Sequence, residues 1–269
     1  IINVKEEIAD FIENKKRINF PEECVFGNAL AKVVNTPKPQ PLAPEMPQVD
    51  VAAIRRVVDN CEAGYLGLED IRTLLDAAGI SRKMEVEVDN VDAAVDFARK
   101  VGYPLVMKVV GPLHKSDVGG VVLNVKDEET VIREFNRLIK IPETYAVEIY
   151  PMLFGTEVFI GASKEEKFGH QVLFGLGGIF VEVMKDVKAA LAPVSQSEAL
   201  SLLKQLRGYK ILKGVRGQEP VNEELFAETV ARVSALVTAA PEIAEMDLNP
   251  LLGTSQSITA VDARIRIEK

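Results

Sequence analysis

Few residues of this 269-residue chain carry the chemistry of metal cages or disulfide frameworks. It has two cysteines, Cys24 and Cys61, two histidines, His114 and His170, and no tryptophan. Two cysteines near the N-terminus are too few for a disulfide framework, and so few Cys and His ligands argue against a zinc site. The sequence contains no run of about 18 apolar residues, the length that predicts a membrane span. It also contains no basic segment followed by an apolar one, the pattern of a signal peptide. We therefore expect a cytoplasmic protein.

The charge balance argues against nucleic acid or an anionic membrane as the main partner. The chain carries 32 basic and 40 acidic side chains, a formal net charge of −8. Nucleic acids and anionic membranes attract basic surfaces instead. Hydrophobic residues make up 47% and charged residues 27% of the chain. This is an ordinary globular composition, and the chain is long enough for more than one core.

Proline is concentrated near the N-terminus, where five of the 14 prolines fall within residues 36–47. Because proline fixes φ and lacks an amide donor, residues 36–50 are predicted to form an extended linker at a domain boundary. Residues 1–35 have helical apolar spacing and are interpreted as the end of a preceding domain or a short appendage. The chain begins with Ile1 and Ile2 rather than Met, so we expect a fragment of a longer protein.

After the linker, helical and strand-like patterns alternate. Helices are predicted at residues 51–60, 68–79, 90–102, 127–139, 195–205 and 223–239. Strands are predicted at residues 84–88, 105–110, 120–125, 145–150, 157–162, 171–174, 243–248 and 258–261. This mixture predicts an α/β fold class with α+β mixed sheets.

A lysine and a histidine stand out in and after one predicted strand. Lys108 interrupts an apolar strand, where burial is costly unless a negative group meets the ammonium. Lys108 is therefore a candidate to hold a nucleotide phosphate; the alternative is that its ammonium reaches solvent. His114 lies in the polar loop beside Lys115, Ser116 and Asp117. It is a candidate nucleophile or base, or an ordinary surface residue.

Three glycines in four positions, Gly175, Gly177 and Gly178, form a second candidate site. Glycines let the backbone approach a ligand and direct amides at an anion; the alternative is a tight turn. The segment is not a Rossmann fingerprint, because no suitably spaced helix follows it. It is not a Walker loop either, because it lacks the Gly-Lys-Ser/Thr ending.

Oxygen-bearing side chains near the C-terminus form a candidate Mg²⁺ site. Asp247 and Asn249 alternate with apolar residues and are expected on one face of a strand. Asp262 follows a second apolar strand, and Glu182 is a further acidic candidate. Oxygen ligands from adjacent strands suit Mg²⁺ bound to phosphates. The alternative is an Asn-Pro turn with a hydrogen-bonding aspartate.

Five motifs follow one another along the chain: GYPLVMK (102–108), HKSDVGGV (114–121), FGLGGIFVEV (174–183), LKGVRG (212–217) and DLNPL (247–251). In this order they resemble the ATP-grasp part of the NDP-forming acyl-CoA synthetases, whose best-known activity is ADP-forming acetyl-CoA synthetase. The resemblance implies an ATP-grasp fold of two subdomains with ATP between them. It further implies that residues 1–35 end a CoA-ligase domain of a fused chain. Residues 51–140 would then form the small subdomain with its leading helices, and residues 141–269 the nucleotide- and Mg-binding subdomain.

The activity implied by the resemblance is a reversible acid–thiol ligation. Acyl-CoA, ADP and phosphate would give a carboxylate, CoA and ATP through a phosphohistidine relay, with His114 as the phosphohistidine of this part. The implied cofactor is Mg²⁺. The implied partners are ATP or ADP, phosphate, CoA and a small carboxylic acid, with no nucleic acid or membrane. A homo-oligomer is expected for the full-length protein.

Binding roles also follow from the resemblance. Lys108 would hold the nucleotide phosphates, and Gly175, Gly177 and Gly178 would cover them. The hinge from Glu148 to Met152 would bind adenine through its backbone, and Glu157 would lie near the ribose. Asn249 and Asp262 would bind Mg²⁺. Asp247, Glu182 and Arg216 would support the site.

Two departures from the family pattern keep other functions open. Ala189 and Ala190 stand where relatives carry an aromatic residue and an arginine, and His170 replaces a proline and is interpreted as incidental. One alternative is a ligase similar to the succinyl-CoA synthetase β subunit. The other is a non-catalytic nucleotide-binding regulatory module, which Ala190 supports.

Overall fold

The computed structural model describes Phe20 and residues 22–36, 45–111, 118–178, 186–215 and 217–269. The chain divides into two units, residues 1–43 and residues 44–269. In the first unit, helix α1 spans Glu23–Val34, and the Phe20 and Phe26 rings meet edge to face with centroids 5.1 Å apart. Helix α1 confirms the helical spacing predicted there. Residues 37–44, most of the predicted linker, lie outside the described residues.

The second unit alternates helices and strands. Its helices are α2 (Val51–Asn60), α3 (Leu68–Ala78), α4 (Val91–Val101), α5 (Glu128–Leu138), α6 (Gln196–Leu203), α7 (Tyr209–Leu212) and α8 (Glu223–Ala239). Its strands are β1 (Gly64–Tyr65), β2 (Val86–Val88), β3 (Leu105–Val110), β4 (Val121–Val125), β5 (Ala146–Pro151), β6 (Thr156–Glu165), β7 (Gly169–Leu176), β8 (Val187–Leu191), β9 (Ile243–Gly253), β10 (Ile258–Ala260) and β11 (Ala263–Ile267). Every helix and strand predicted after the linker is present. The sequence did not predict α7, β1, β8 or β11.

Polar side chains fix where most of these helices begin. Asn90 accepts a hydrogen bond from the amide of Ala93, and Asp127 accepts one from Thr130. These bonds satisfy amides that a helix start leaves without partners. Helix α3 ends at Gly79, whose φ of 68° lies in the left-handed region that glycine adopts readily. The predicted end of α3 at this glycine is therefore confirmed.

The smaller sheet is antiparallel, with strand order β2-β5-β3-β4. Helices α4 and α5 pack on one face, where alternate strand residues such as Met107 and Ile149 are fully buried. The opposite face carries Lys108 and Glu148, which stand directly across from each other on β3 and β5. Because side chains alternate between faces, the strand that buries Met107 places Lys108 on the side away from the helices.

The larger sheet has the order β1-β11-β9-β6-β7-β8, with β10 also paired to β9. Helices α2, α3, α6 and α8 contribute buried residues to a single core with this sheet. The structure therefore differs from the predicted division of the chain. Helices α2 and α3 bury their apolar faces on the larger sheet, not the smaller one. Strand β5, beyond the expected boundary at residue 140, completes the smaller sheet.

Strand β9 continues past the point where the sequence predicted its end. The predicted strand ends at Leu248, but β9 extends to Gly253 and includes Pro250, which lacks an amide donor. Its pairing with β6 shifts register here, since Ile160 pairs with Leu248 whereas Val158 pairs with Leu251. Such an irregularity accommodates a proline within a strand. Asn249 therefore lies in a strand and not in a turn.

No helix of the described ranges has both the length and the apolar composition that crossing a membrane requires.

Candidate functional site

A cavity of about 480 Å³ lies between the exposed face of the smaller sheet and the edge of the larger one. Helix α3 supplies apolar lining through Leu68, Ile71 and Leu75, and the remaining lining is largely charged. The charged residues are Arg72, Arg82, Lys83, Glu85, Glu87, Lys108, Glu148, Asp262 and Arg264. The cavity therefore brings together three residues predicted from the sequence, namely Lys108, Glu148 and Asp262.

A buried ion network lies at one side of the cavity. Lys83 Nζ is 2.5 Å from Glu148 Oε1 and 2.8 Å from Glu85 Oε2, and Arg72 Nε is 3.0 Å from Glu85 Oε1. Only 10% of the Lys83 and Glu148 side chains and 5% of the Glu85 side chain are exposed. When charges are buried in such pairs, the attraction of the opposite charge offsets the free-energy cost of removing each charge from water.

The pKa values of two carboxylates in this network shift in opposite directions. Burial raises the pKa of Glu85, and a hydrogen bond with Glu148 raises it further, against the effects of Lys83 and Arg72. Burial also opposes ionisation of Glu148, but its hydrogen bond with Glu85 and the charge of Lys83 lower its pKa overall. Glu148 is therefore the carboxylate of the pair that favours the ionised form.

Lys108 has no ion-pair partner in the described ranges, although Glu148 stands directly across from it. Its Nζ lies 5.0 Å from the centre of the Tyr150 ring, and Lys83 Nζ lies 4.0 Å from the same ring. Burial lowers the pKa of Lys108, and the neighbouring charge of Lys83 lowers it further. A bound anion would stabilise the charged form of this half-buried ammonium.

Glu148, at the start of the predicted hinge, contributes its side chain to the cavity. Glu148 lies in the centre of β5, between β2 and β3, so its main chain is part of the sheet and its side chain lines the cavity. The amide of Met152 donates a hydrogen bond to the carbonyl oxygen of Pro104 at 2.8 Å. The Met152 amide is therefore already used within the protein, and adenine binding through the backbone of the hinge from Glu148 to Met152 stays a prediction.

The glycine segment is shaped by close backbone contacts. A Cβ at Gly175 would lie 2.5 Å from the carbonyl oxygen of Asp186, and one at Gly177 would lie 2.9 Å from the backbone of Val158. The amide of Gly177 also donates to the carbonyl oxygen of Glu157 at 2.8 Å. Gly175 and Gly177 are thus required by close backbone packing, and Gly175 lies within strand β7 rather than in the tight turn of the alternative interpretation.

Asp247, Asn249 and Asp262 lie on or beside adjacent strands of the larger sheet. Asp247 and Asn249 are half-buried on β9, alternating with the buried Met246 and Leu248, and Asp262 lies just before β11. Burial raises the pKa of Asp247; Arg264, directly opposite on β11, counteracts this rise, whereas the charge of Asp262 adds to it. The two carboxylates therefore lie near enough to repel each other.

This donor set fits Mg²⁺ bound to a phosphate ligand. Mg²⁺ takes oxygen ligands, keeps several waters and needs only one or two carboxylates when phosphates complete its coordination. Two carboxylates and an amide oxygen supply that chemistry. The described ranges contain no group of three or more His, Cys, Asp or Glu side chains arranged around one metal position, so a metal held by protein ligands alone does not fit them.

Three predicted site residues, His114, Glu182 and Arg216, lie outside the described residues. The second histidine, His170, is buried on β7, and its Nε2 lies 2.6 Å from the carbonyl oxygen of Ile243. His170 therefore makes a structural contact inside the larger subdomain. Ala190, one of the departures from the family pattern, lies on β8 and packs against the large core.

Three further residues of the cavity, Lys83, Glu85 and Glu87, are not among those predicted from the sequence. All three are charged, and they alternate with other residues in the segment that leads into β2. Alternation of period two places side chains on one face of an extended chain. That pattern, noticed in advance, would have indicated a charged strand face beside Lys108.

The ATP-grasp domain family matches residues 58–267 of this chain. The chain belongs to the ATP-grasp family. This ATP-grasp domain is 38% identical over 227 residues to the β subunit of ADP-forming acetate–CoA ligase I of Pyrococcus furiosus, an alignment that covers 80% of the chain and 98% of that subunit. It is 40% identical over 203 residues to ADP-forming acetate–CoA ligase II of Archaeoglobus fulgidus, covering 72% of this chain but only 29% of that longer protein.

Solved structures agree with this assignment. Acetyl-coenzyme A synthetase 1 of Ca. Korarchaeum cryptofilum, in complex with coenzyme A and Ca-AMPCP, superposes with a TM-score of 0.70 at 35% identity, covering 79% of this chain and 97% of that one. A second structure of that enzyme contains Mg-AMPPCP and a phosphohistidine segment pointing towards the nucleotide site; it has a TM-score of 0.69 at 35% identity and covers 81% and 100% of the two chains. The ATP-grasp domain described here therefore has the fold of ADP-forming acetyl-CoA synthetases.

Proposed function

We propose that the cavity between the two sheets binds ATP or ADP, and that this chain is the nucleotide-binding and phosphoryl-transfer part of an ADP-forming acyl-CoA synthetase. The observation that carries the proposal is Lys108, a half-buried lysine that lines the cavity and has no ion-pair partner in the described ranges. The Mg-AMPPCP in a related structure supports the same ligand class.

Nucleotide phosphates supply the negative charge that Lys108 lacks. Three other cations of the cavity already have carboxylate partners: Arg72 pairs with Glu85, Lys83 with Glu148, and Arg82 with Asp76. Among the cavity cations in the described ranges, Lys108 on the smaller sheet and Arg264 on β11 are left without an ion pair, and Lys108 is the more buried of the two. Charge-assisted hydrogen bonds from an ammonium to phosphate oxygens are among the stronger polar contacts in proteins.

His114 is the proposed nucleophile, on the strength of its motif. In the direction that consumes ATP, an imidazole nitrogen attacks the γ-phosphorus, a P–N bond forms, and the P–O bond to the leaving ADP breaks. The imidazole gives up its N–H proton to solvent. Imidazole suits this transfer because it is nucleophilic near neutral pH. In the other direction the same bonds exchange, and ADP receives the phosphoryl group.

Asp247, Asn249 and Asp262 are the proposed ligands of the Mg²⁺ that accompanies the nucleotide. Bound Mg²⁺ neutralises phosphate charge during phosphoryl transfer. These side chains would hold the metal at the edge of the larger sheet, where Asp262 lines the cavity together with Lys108. Glu157 is proposed to lie near the ribose.

The complete reaction proposed is acyl-CoA, ADP and phosphate giving a carboxylate, CoA and ATP. Relatives act on different acids, since one is named an ADP-forming acetate–CoA ligase and another an ADP-forming 4-hydroxybutyrate–CoA ligase. We therefore assign the acid only as a carboxylic acid. CoA is a further proposed partner, because a related structure was obtained in complex with it.

Isothermal titration calorimetry with Mg-ADP and Mg-ATP tests this function. The wild-type chain is expected to bind both, and Lys108→Met is expected to weaken binding by at least about tenfold through loss of a charged phosphate contact. Lys126→Met is the matched control, because Lys126 is an exposed lysine of the same subdomain that lies outside the cavity. A wild type that binds neither nucleotide, or equal affinities in Lys108→Met and wild type, would overturn the proposal.

A further inference from the structure

Two lysines share the neighbourhood of Glu148 and Tyr150, and among the residues that the structure describes one of them, Lys83, has a carboxylate partner. Lys83 Nζ binds Glu148 at 2.5 Å and lies 4.0 Å from the Tyr150 ring centre. Lys108 Nζ lies 5.0 Å from the same ring centre, and no carboxylate in the described ranges pairs with it. Glu148 is nevertheless the residue directly across from Lys108 in the sheet. Directly opposed side chains on one face are near enough to pair.

The partner of Glu148 comes from outside the β3–β5 pair. The amide of Lys83 donates to the carbonyl oxygen of Ala260, and Ser81 accepts from the amide of Ala260, so this segment is tied to β10 of the larger sheet. The Lys83 side chain then reaches across the cavity wall to Glu148 in the smaller sheet. The ion pair therefore rests on a backbone anchor that is independent of Lys108.

Removing Lys83 would leave Glu148 as the carboxylate in need of a cation. Glu85 would keep Arg72, whose Nε is 3.0 Å away. Glu148 has no cation partner other than Lys83 within the described ranges. A buried carboxylate without a cation is strongly unfavourable, and the nearest available ammonium is Lys108, directly opposite.

We propose that Lys83 is a positioning residue for nucleotide binding: by occupying Glu148 it keeps the Lys108 ammonium free for phosphate. This inference rests on the proposed function, since it assumes that Lys108 binds the nucleotide. Lys83 itself makes no phosphate contact in this account. It acts through Glu148, so its loss turns Glu148 into a competitor of the nucleotide for Lys108.

The test is a rescue experiment in which calorimetry measures the binding of Mg-ADP to the whole chain. Lys83→Met is expected to weaken Mg-ADP binding about tenfold, because the nucleotide must break a new Lys108–Glu148 pair. Adding Glu148→Gln to Lys83→Met removes the competing carboxylate. The double variant is expected to return to within about threefold of the wild type, since a neutral amide holds an ammonium far less tightly.

A charge-matched control separates this mechanism from a general change of charge. Glu87 lines the same cavity, is exposed, and faces Glu148 from β2. Lys83→Met with Glu87→Gln has the same net charge as the rescuing double variant but keeps the Glu148 carboxylate. It is therefore expected to bind Mg-ADP as weakly as Lys83→Met alone.

Each outcome decides between named possibilities. Full affinity in Lys83→Met would contradict the inference while leaving the proposed nucleotide site intact. Weak binding that Glu148→Gln does not restore would also contradict it, and would indicate that Lys83 contacts the nucleotide directly. A wild type that fails to bind Mg-ADP would overturn the proposed function itself. If Lys83→Met does not fold, Lys83→Gln provides the same decision, tested with and without Glu148→Gln. Binding that is weak in the single variant and restored in the double variant is expected, and weak binding in both would contradict the inference.

Discussion

The carboxylate of Glu157 occupies the space that a side chain at residue 178 would need. A Cβ built on Gly178 would lie 1.8 Å from Glu157 Oε2, and the φ of Gly178 is 57°. The clash is with the end of a flexible side chain rather than with backbone. A larger residue at this position would therefore displace Glu157 and leave the strands in place.

Gly178→Ala is accordingly expected to affect binding more than folding. Displacing Glu157 from the proposed ribose contact should weaken Mg-ADP binding about fivefold, the equivalent of one hydrogen bond. Gly169→Ala is the control, because Gly169 has a φ of 79° and open space around it. Thermal unfolding should show the same small loss in both variants, whereas calorimetry should show weaker binding only for Gly178→Ala. Equal affinities would remove Glu157 from the site.

Gly175→Ala is expected to destabilise the fold. Its Cβ would lie 2.5 Å from the carbonyl oxygen of Asp186, a backbone atom of the neighbouring chain segment. Relieving such a contact requires the backbone to shift, and overpacking of this kind costs about 1–3 kcal/mol of unfolding free energy. In Gly161→Ala, the control on strand β6, the nearest atoms would be 3.4 Å away. Urea denaturation that finds the two variants equally stable would contradict the packing account.

His170→Ala should lower stability without changing nucleotide affinity. The substitution removes a buried ring and leaves the carbonyl oxygen of Ile243 without its partner at 2.6 Å. The expected loss is about 2–3 kcal/mol of unfolding free energy, measured by denaturation. Calorimetry with Mg-ADP on the folded variant checks the second half of the prediction. A specific loss of binding would show that His170 has a functional role.

The contact between Arg55 and Glu242 should make stability depend on pH in the acid range. Hydrogen bonds from Arg55, at 2.7 and 2.8 Å, lower the pKa of Glu242 to about 2 from an ordinary value of 4.5. A lowered pKa stabilises the folded state above the ordinary value, and this contribution is lost as pH falls towards the lowered one. Glu242→Gln should therefore be less stable than wild type at pH 7.

The difference between wild type and Glu242→Gln should shrink as the pH falls from 4.5 towards 2, in urea denaturation repeated across this range. Glu62→Gln serves as the control, because Glu62 is exposed and has no ion pair among the residues the structure describes. A difference that stays constant down to pH 2 would show that Arg55 does not favour the ionised form of Glu242.

Local chemistry was sufficient to predict the elements that carry the site. Asn90 and Asp127 begin helices because their side chains accept hydrogen bonds from the first amides. The apolar run that Lys108 interrupts predicted a strand, and the structure has that strand at Leu105–Val110. Each of these patterns acts within a few residues of sequence, where the sequence is directly informative.

The charge pairing around Lys108 could not be predicted in the same way. Lys83 and Glu148 are 65 residues apart in sequence, and they meet because the Lys83 segment is anchored to β10 and leads into β2, which pairs with β5. Helices α2 and α3 were assigned to the smaller subdomain for a similar reason. Their apolar faces show that they pack, but not against which sheet, and that choice depends on contacts between distant segments.

Phosphorylation of His114 tests the central claim most directly. The wild-type chain is incubated with Mg²⁺ and ATP radiolabelled at its γ-phosphate, in parallel with His114→Ala. We predict acid-labile, alkali-stable label on the wild type and none on His114→Ala, while calorimetry shows that both still bind Mg-ATP. A wild type that binds Mg-ATP but takes up no label, or a His114→Ala variant labelled to the same extent, would contradict the account.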